Sequence, residues 1–406
     1  MSRKKILMAC AVFRPEPIVS AGLMTDLAEA LSKDYDVTVL CPFPTRPLGF
    51  KVPVYSDSGY PFKVIRLDSY TCPESIFIGR FRESISMGRM VSDYINVHHD
   101  EINFVFDDSW HLFSRAMVAN ACKKYNIPFI TPVQDLYPES LTAKLPKIKS
   151  LIWLVNKIFM PLDLYSLNNA AMIHANSEKM KQDLIRTRNI PEEKFVVVRN
   201  WQNEVDFIEY ANNKTTDKYD GLFTFMYLGN VGPLAGVDIL FEALKLAKLP
   251  NSRLVVAGSG SAKAALQEKA KEYVDCNIEF WEVPAGRVPS TQDKADVMCL
   301  PVKKGFALSS VPSKLPAYMF SKKPVLAAVD ANSDTAECIR LSNGGWVAEP
   351  EDPRSVAEYM RQAYETSKEK LSIIGQRGFD YAIARFSKGV NLKILVDACK
   401  KIIENN

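Results

Sequence analysis

One pattern recurs along most of this chain: a short apolar run of strand length, a turn, and then a longer stretch whose apolar residues return at helical spacing. Lys4 to Val12 is the first such run, followed by Arg14-Pro15-Glu16-Pro17 and then by Leu23, Leu27, Ala30 and Leu31 at helical intervals. Strand-like runs follow at 37–40, 103–106, 129–132 and 171–174, the last leading into a helix that Ser177 is placed to cap. Apolar strands separated by amphipathic helices imply a parallel sheet covered on both faces. The rhythm stops in the polar stretch between Asn203 and Gly221 and restarts with strands at 223–228, 253–257, 278–281, 297–300 and 324–328. The chain has 406 residues, and a single core stops growing at roughly 250–300. The expectation is therefore α/β with two doubly wound domains, 1–205 and 221–385, whose strand ends face a common cleft. A terminal helix over 386–406, with no strand after it, packs back on the first domain.

Composition removes several classes. Fifty-one Lys and Arg against 47 Asp and Glu leave a net charge of +4, spread too evenly for a nucleic-acid tract. The eight cysteines never form C-x-x-C and never fall near histidines at zinc spacing, so they read as reduced, buried thiols of a cytoplasmic protein. Arg3, Lys4 and Lys5 before an apolar run that reaches Cys10 superficially suggest a lipoprotein signal. That run is too short, however, and reads as a buried first strand. No segment has the ~20 apolar residues of a spanning helix.

Open α/β sheets bind ligands beyond the carboxyl ends of their strands, so the candidate residues are those in loops that follow strands. Gly22, Gly229-Asn230-Val231-Gly232 and Gly258-Ser259-Gly260 lie at that edge. There glycine lets amides approach an anion beside a helix N-terminus. In Ser309-Ser310-Val311-Pro312-Ser313-Lys314 hydroxyls and free amides gather at a helix start with a lysine one position on, an outline of a diphosphate site. Asp34-Tyr35-Asp36 precedes its strand and is not a metal site. His174 reads as a core histidine, whereas His111 follows Asp107-Asp108 after a strand, where it can face the crevice.

The ordered set Pro15-Glu16, Gly22, Val133-Gln-Asp-Leu-Tyr-Pro-Glu-Ser140, Val198-Arg-Asn-Trp201, Tyr227 to Gly232, Val256 to Gly260 and Ser310 to Leu315 resembles retaining glycosyltransferases of family 4. Within them it is similar to the branch that transfers acetamido sugars in capsule and O-antigen assembly. The resemblance implies the GT-B fold of two Rossmann-like domains, a nucleotide-sugar donor, most often UDP-linked, and no metal or other cofactor. It implies Gly229, Asn230 and Gly232 at the phosphates or donor sugar, and Glu282, Val283 and Pro284 around the base. It further implies Ser309, Ser310, Ser313 and Lys314 at the ribose and diphosphate. Many relatives carry an Arg and a Lys in the second-domain turn and two glutamates around the serine-rich helix start, where this chain has Asn230, Ala235, Ser309 and Ala317. Lys314 is therefore the expected source of positive charge at the diphosphate.

On the first domain Asp135 follows a strand and is the expected contact for a sugar hydroxyl or a proton in flight, with Glu139 as a second candidate. Front-face retention needs no protein nucleophile. Pro15, Glu16 and His111 are the acceptor-side candidates. Residues 141–162 combine Lys144, Lys147, Lys149 and Lys157 with Trp153, Leu154, Ile158 and Phe159 and no acid, as an interfacial helix on anionic lipid requires. These features point to a glycosyltransferase on the inner face of the cytoplasmic membrane. Its acceptor would be a glycan or a polyprenyl-diphosphate-linked sugar, as in surface polysaccharide synthesis. A nucleotide-sugar epimerase or hydrolase of the same architecture, and an inactive sugar-nucleotide-binding subunit, remain open alternatives.

Overall fold

A computed structural model of the chain describes residues 3–49, 51–74, 76–110, 112–142, 145–146, 148–214, 221–284, 286–308 and 311–405. His111, Lys144, Lys147, Ser309 and Ser310 lie outside the described residues. The chain divides into two units, 1–200 with 391–406, and 201–390.

The first unit is built on strands β1 (Lys5–Cys10), β2 (Asp36–Pro42), β3 (Lys63–Leu67), β4 (Phe104–Asp108), β5 (Phe129–Val133), β6 (Met172–Ala175) and β7 (Phe195–Val197). They form one parallel sheet in the order β3-β2-β1-β4-β5-β6-β7. Strand order reverses between β1 and β4. Ile6 to Cys10 and all of β4 and β5 are buried, because helices cover both faces of a parallel sheet and leave no solvated side. The run after Arg3 is thus the first strand. The Ser177 hydroxyl caps the helix Glu178–Arg188 by accepting from the Met180 amide at 3.1 Å.

The second unit repeats the plan with β8 (Phe223–Leu228), β9 (Ser252–Ala257), β10 (Ile278–Trp281), β11 (Val297–Pro301), β12 (Val325–Ala328) and β13 (Gly345–Ala348). The order is β10-β9-β8-β11-β12-β13, again all parallel, with the reversal between β8 and β11.

One segment departs from the sequence reading. The polar stretch expected to link the domains holds a helix, Val205–Asn213, that belongs to the second unit. Phe207 is buried there against Phe320, and the Tyr210 hydroxyl is 3.1 Å from Asp293. Two anchors one helical turn apart suffice to hold a helix that lacks an apolar stripe. After β8 the chain makes a 3-10 turn, Pro233–Ala235, that ends at Gly236 with φ of 61°, and the α-helix runs Ile239–Ala247. At the end of the chain two helices, Lys368–Phe386 and Lys388–Glu404, meet at an extended Ser387. The second returns to the first unit through Lys400–Asp34 at 2.6 Å and the Arg199 amide on Asn391 Oδ1 at 3.0 Å.

Candidate functional site

In the second unit the ends of β8, β9 and β10 bring the glycine turns into direct backbone contact. Gly229 has φ of 152°, Gly258 117° and Gly260 155°. A Cβ on Gly258 would run into the Gly229 carbonyl, and one on Gly260 into the Val231 carbonyl. Three amides of these turns are already taken up: Gly229 N–H donates to Ala257 O at 3.0 Å, Val231 N–H to Ser259 O at 2.8 Å and Gly258 N–H to Trp281 O at 3.1 Å. In the first unit Gly22 sits inside the helix Val19–Leu31, and its amide donates to Ile18 O at 3.3 Å. The expectation that Gly22, Gly229 and Gly258 offer free amides to an anion is therefore corrected. These amides continue the sheet ladder or the helix, and glycine serves there for close packing.

At Gly229 that packing admits Lys314. A Cβ on Gly229 would lie 2.5 Å from Lys314 Cε and 2.9 Å from Cδ, so the missing side chain is the groove along which the lysine stem runs. Lys314 is the first residue of the helix Lys314–Phe320. That helix is pinned to β8 by Tyr318, whose hydroxyl accepts from Leu228 N–H at 2.9 Å and donates to Leu228 O at 2.7 Å. The Lys314 ammonium lies 5.7 Å from the centre of the Tyr227 ring, whose own hydroxyl donates to Asn230 O at 2.6 Å. Burial lowers the Lys314 pKa and no acidic group raises it; none of the ion pairs among the described residues includes it. A half-buried cation without a counter-charge is costly to hold, and an anion on the ring side of Gly229 would relieve it.

The remaining donor-side candidates line the same edge. Asn230 is exposed, and Gly232 starts the 3-10 turn. Ser313 is exposed and its hydroxyl caps nothing; its carbonyl accepts from Gln202 Nε2 at 3.2 Å. Glu282, Val283 and Pro284 directly follow β10, and the Glu282 carboxylate meets Lys263 Nζ at 2.5 Å. Lys263 also donates to Gly258 O at 2.8 Å, tying two loops of the site. The sequence offered no signal for Lys263, because lysines on helices are ordinarily solvated, nor for Asp330, whose carboxylate holds Gly305 N–H at 2.8 Å and shapes the loop before Ser309.

In the first unit Asp135 lies just past β5 and is exposed. Glu139 is not free beside it. Its carboxylate meets both terminal nitrogens of Arg188, with Nη2 to Oε2 at 2.6 Å, and Arg188 Nε reaches Asp163 Oδ2 at 3.2 Å. Arg115 Nη1 lies 3.7 Å from the other Asp163 oxygen. Burial raises the Glu139 pKa, but the Arg188 hydrogen bonds outweigh it and the net direction is down. A carboxylate held charged in this way is a poor proton carrier, so Glu139 acts as an anchor of the 134–140 loop. Glu16 is likewise corrected: it is 4% exposed, and its Oε1 accepts from the amides of Thr45 at 2.8 Å and Arg46 at 2.7 Å. Pro15, next to it, is half-buried. His174 is a core residue bonded to Val198 O at 2.8 Å, its pKa pulled down to about 4 by burial.

The end of β4 holds two fully buried acids, Asp107 and Asp108. Burial pushes the Asp107 pKa up to about 6 against partial relief from Ser109 and Arg115, and burial with the neighbouring Asp107 charge pushes Asp108 well up. A folded pKa above the unfolded value of about 3.9 means that the native state binds this proton more tightly. Asp107 thus contributes stability that is complete below pH ~4 and lost as pH rises through ~6, about 2–3 kcal/mol in all. Asp107→Asn is expected to remove that loss. The difference in urea midpoint between variant and parent should grow from pH 4.5 to pH 7 in favour of the variant, and a constant difference would contradict the assignment.

The comparisons agree with this architecture. A family model described as "Glycosyltransferase Family 4" matches residues 23–203, and one described as "Glycosyl transferases group 1" matches 223–366. The probable glycosyltransferase WbjE of Pseudomonas aeruginosa is 23% identical over 249 residues, 59% of this chain and 60% of that protein, so the match spans less than two thirds of its relative. Anabaena HepE, solved with UDP, superposes with a TM-score of 0.68 at 13% identity over 98% of this chain and all of the other. The same protein, solved with UDP-glucose, gives 0.61 at 15% over 97% and 99%. A glycosyltransferase from Rickettsia africae gives 0.70 at 17% over the whole of both chains. With both units matched and their doubly wound sheets in place, the chain belongs to the family 4 glycosyltransferases and has the two-domain Rossmann-like fold called GT-B.

Proposed function

We propose that this protein is a retaining glycosyltransferase that moves a sugar, an acetamido hexose, from a UDP-sugar to a hydroxyl of a glycan or polyprenyl-diphosphate-linked acceptor during surface polysaccharide synthesis. The observation that carries the reading is Lys314, a half-buried ammonium with no acidic partner among the described residues, laid across Gly229 at the carboxyl edge of β8. Breaking a glycosyl–diphosphate bond builds negative charge on the leaving group. A cation already desolvated and fixed at that edge stabilises this charge more than one that must first shed water. In this reading the diphosphate needs no metal, main-chain groups of 282–284 hold the base, and Asp135 meets a sugar hydroxyl. HepE's complexes with UDP and UDP-glucose are compatible with a uridine donor.

A thermal-shift screen with UDP-, GDP-, CDP- and ADP-sugars tests the donor class, since a ligand that binds only the folded form raises its apparent stability. UDP-sugars are expected to give the largest rise. Product analysis with the stabilising donor alone then separates transfer from epimerisation or hydrolysis: rapid turnover without acceptor would replace the transferase reading.

A lipid-linked acceptor requires the protein at a membrane. No described helix is long and apolar enough to cross one. The helix Lys149–Asn169, however, turns Trp153, Leu154 and Ile158 outward at 60%, 47% and 52% exposure. Lys149 and Lys157 share that face, with Lys157 Nζ 4.8 Å from the Trp153 ring centre, and its acid, Asp163, is buried. An apolar face edged by lysines matches the interface of an anionic bilayer. Flotation with vesicles containing phosphatidylglycerol should carry the protein upward, and Trp153→Glu with Ile158→Glu should leave it at the bottom. Equal behaviour of parent and variant would remove the membrane from the proposal.

A further inference from the structure

In the first unit the strand order reverses between β1 and β4, and an open α/β sheet binds ligands beyond its strand ends at that reversal. The residue two past the end of β4 there is Trp110, with φ of 59°. A bulky residue in the left-handed region is strained by about 1–3 kcal/mol and persists only where its surroundings enforce it. The enforcement is visible. The Arg46 guanidinium lies over the indole, 5.8 Å from the ring centre. Arg46 is itself 6% exposed, paired with Glu83 and held through its amide by Glu16. The ring is half-buried, so part of it remains open.

The polar atoms at the root of this ring are unmatched. Both carboxylate oxygens of Asp108 and the Ser109 hydroxyl are buried and lack a hydrogen-bond partner among the described residues. A rigid aromatic surface beside unmatched acceptors and a hydroxyl suits a ligand with an apolar C–H face and a rim of hydroxyls, which is the anatomy of a pyranose ring. The electron-rich face of an indole attracts the polarised C–H groups, and hydroxyls serve as donors and acceptors together. We propose that Trp110 is a sugar-stacking platform of the first unit, held in place by Arg46. It rests on the transferase reading only in that the stacked ring belongs to the acceptor.

The test uses the full chain labelled with 5-fluorotryptophan. It has five tryptophans, and Trp110→Phe identifies the fluorine resonance of Trp110. Methyl β-glucoside, methyl β-N-acetylglucosaminide and methyl α-galactoside are titrated, with sorbitol as an open-chain control. At least one pyranoside should shift the Trp110 resonance saturably, with half-saturation at about 1–10 mM, while sorbitol leaves it in place. A resonance unmoved by all three pyranosides, or moved equally by sorbitol, overturns the platform. Calorimetric titration of the same sample with UDP reports on the second unit separately. UDP binding with a silent Trp110 overturns this inference alone, whereas a shifting Trp110 without UDP binding overturns the donor reading alone.

Discussion

Lys314→Met is expected to weaken UDP binding by roughly 30- to 1,000-fold, about 2–4 kcal/mol, and at the same time to raise the unfolding temperature of the ligand-free protein. The two effects have one cause. In the free protein Lys314 is half-buried, its pKa is lowered by burial, its stem runs along Gly229 and its ammonium lies 5.7 Å from the centre of the Tyr227 ring. Methionine keeps the apolar stem that fills the groove and deletes the charge, so the cost of holding an unpaired cation disappears. With a diphosphate present the same deletion removes a charge-assisted contact. Because negative charge on the leaving group grows as the glycosyl bond breaks, kcat should fall along with affinity. Calorimetry with UDP and differential scanning of the ligand-free protein read the two halves. A change in Kd below about threefold, or a ligand-free variant less stable than the parent, would show that Lys314 is an ordinary surface lysine.

The second large effect is on stability. Arg188 has a fully buried side chain and joins Glu139, Asp163, the Tyr137 carbonyl at 2.5 Å and the Thr187 hydroxyl at 2.7 Å. Arg188→Ala leaves Asp163, 2% exposed, with only Arg115 at 3.7 Å. Removing one partner of a buried pair costs about 3–5 kcal/mol, and in a unit of this size each kcal/mol lowers the melting temperature by about 2–4 °C. Arg188→Lys keeps the charge but cannot span both carboxylates with a planar fork, so an intermediate loss is expected. Activity should fall in both variants, since the loop that carries Asp135 loses its anchor at Glu139. Thermal unfolding of the three proteins checks this. A fall under about 1 kcal/mol for Arg188→Ala would mean that the network is not what holds the loop.

How much of this was legible beforehand depended on the range of the interactions. The central strands were readable because a parallel strand covered on both faces must be apolar along its length, as in Phe223 to Leu228 or Phe104 to Phe106. The edge strands β3, β7 and β13 were not. They are short, and only one residue of β3, none of β7 and one of β13 is fully buried, so they carry neither a continuous apolar run nor strict alternation. At the site, the position of Lys314 at the start of a helix was readable, and the structure has it there. The roles of the glycines were not, because whether an amide is free depends on which carbonyl the neighbouring strand presents to it.

The two repeated sheets and the family were legible in the order of residues alone, since strand and helix periods are local and survive without knowledge of their partners. That order also supplied Lys314, the cation on which the proposed chemistry turns. Only the tertiary structure decided that Gly229 and Gly258 give room rather than amides, and that Glu16 and Glu139 hold loops rather than substrate. It alone brought Arg46, which follows β2, over the indole of Trp110, which follows β4. Charge compensation and hydrogen-bond completion depend on distances between residues far apart in the chain, and those distances exist only once the chain has folded.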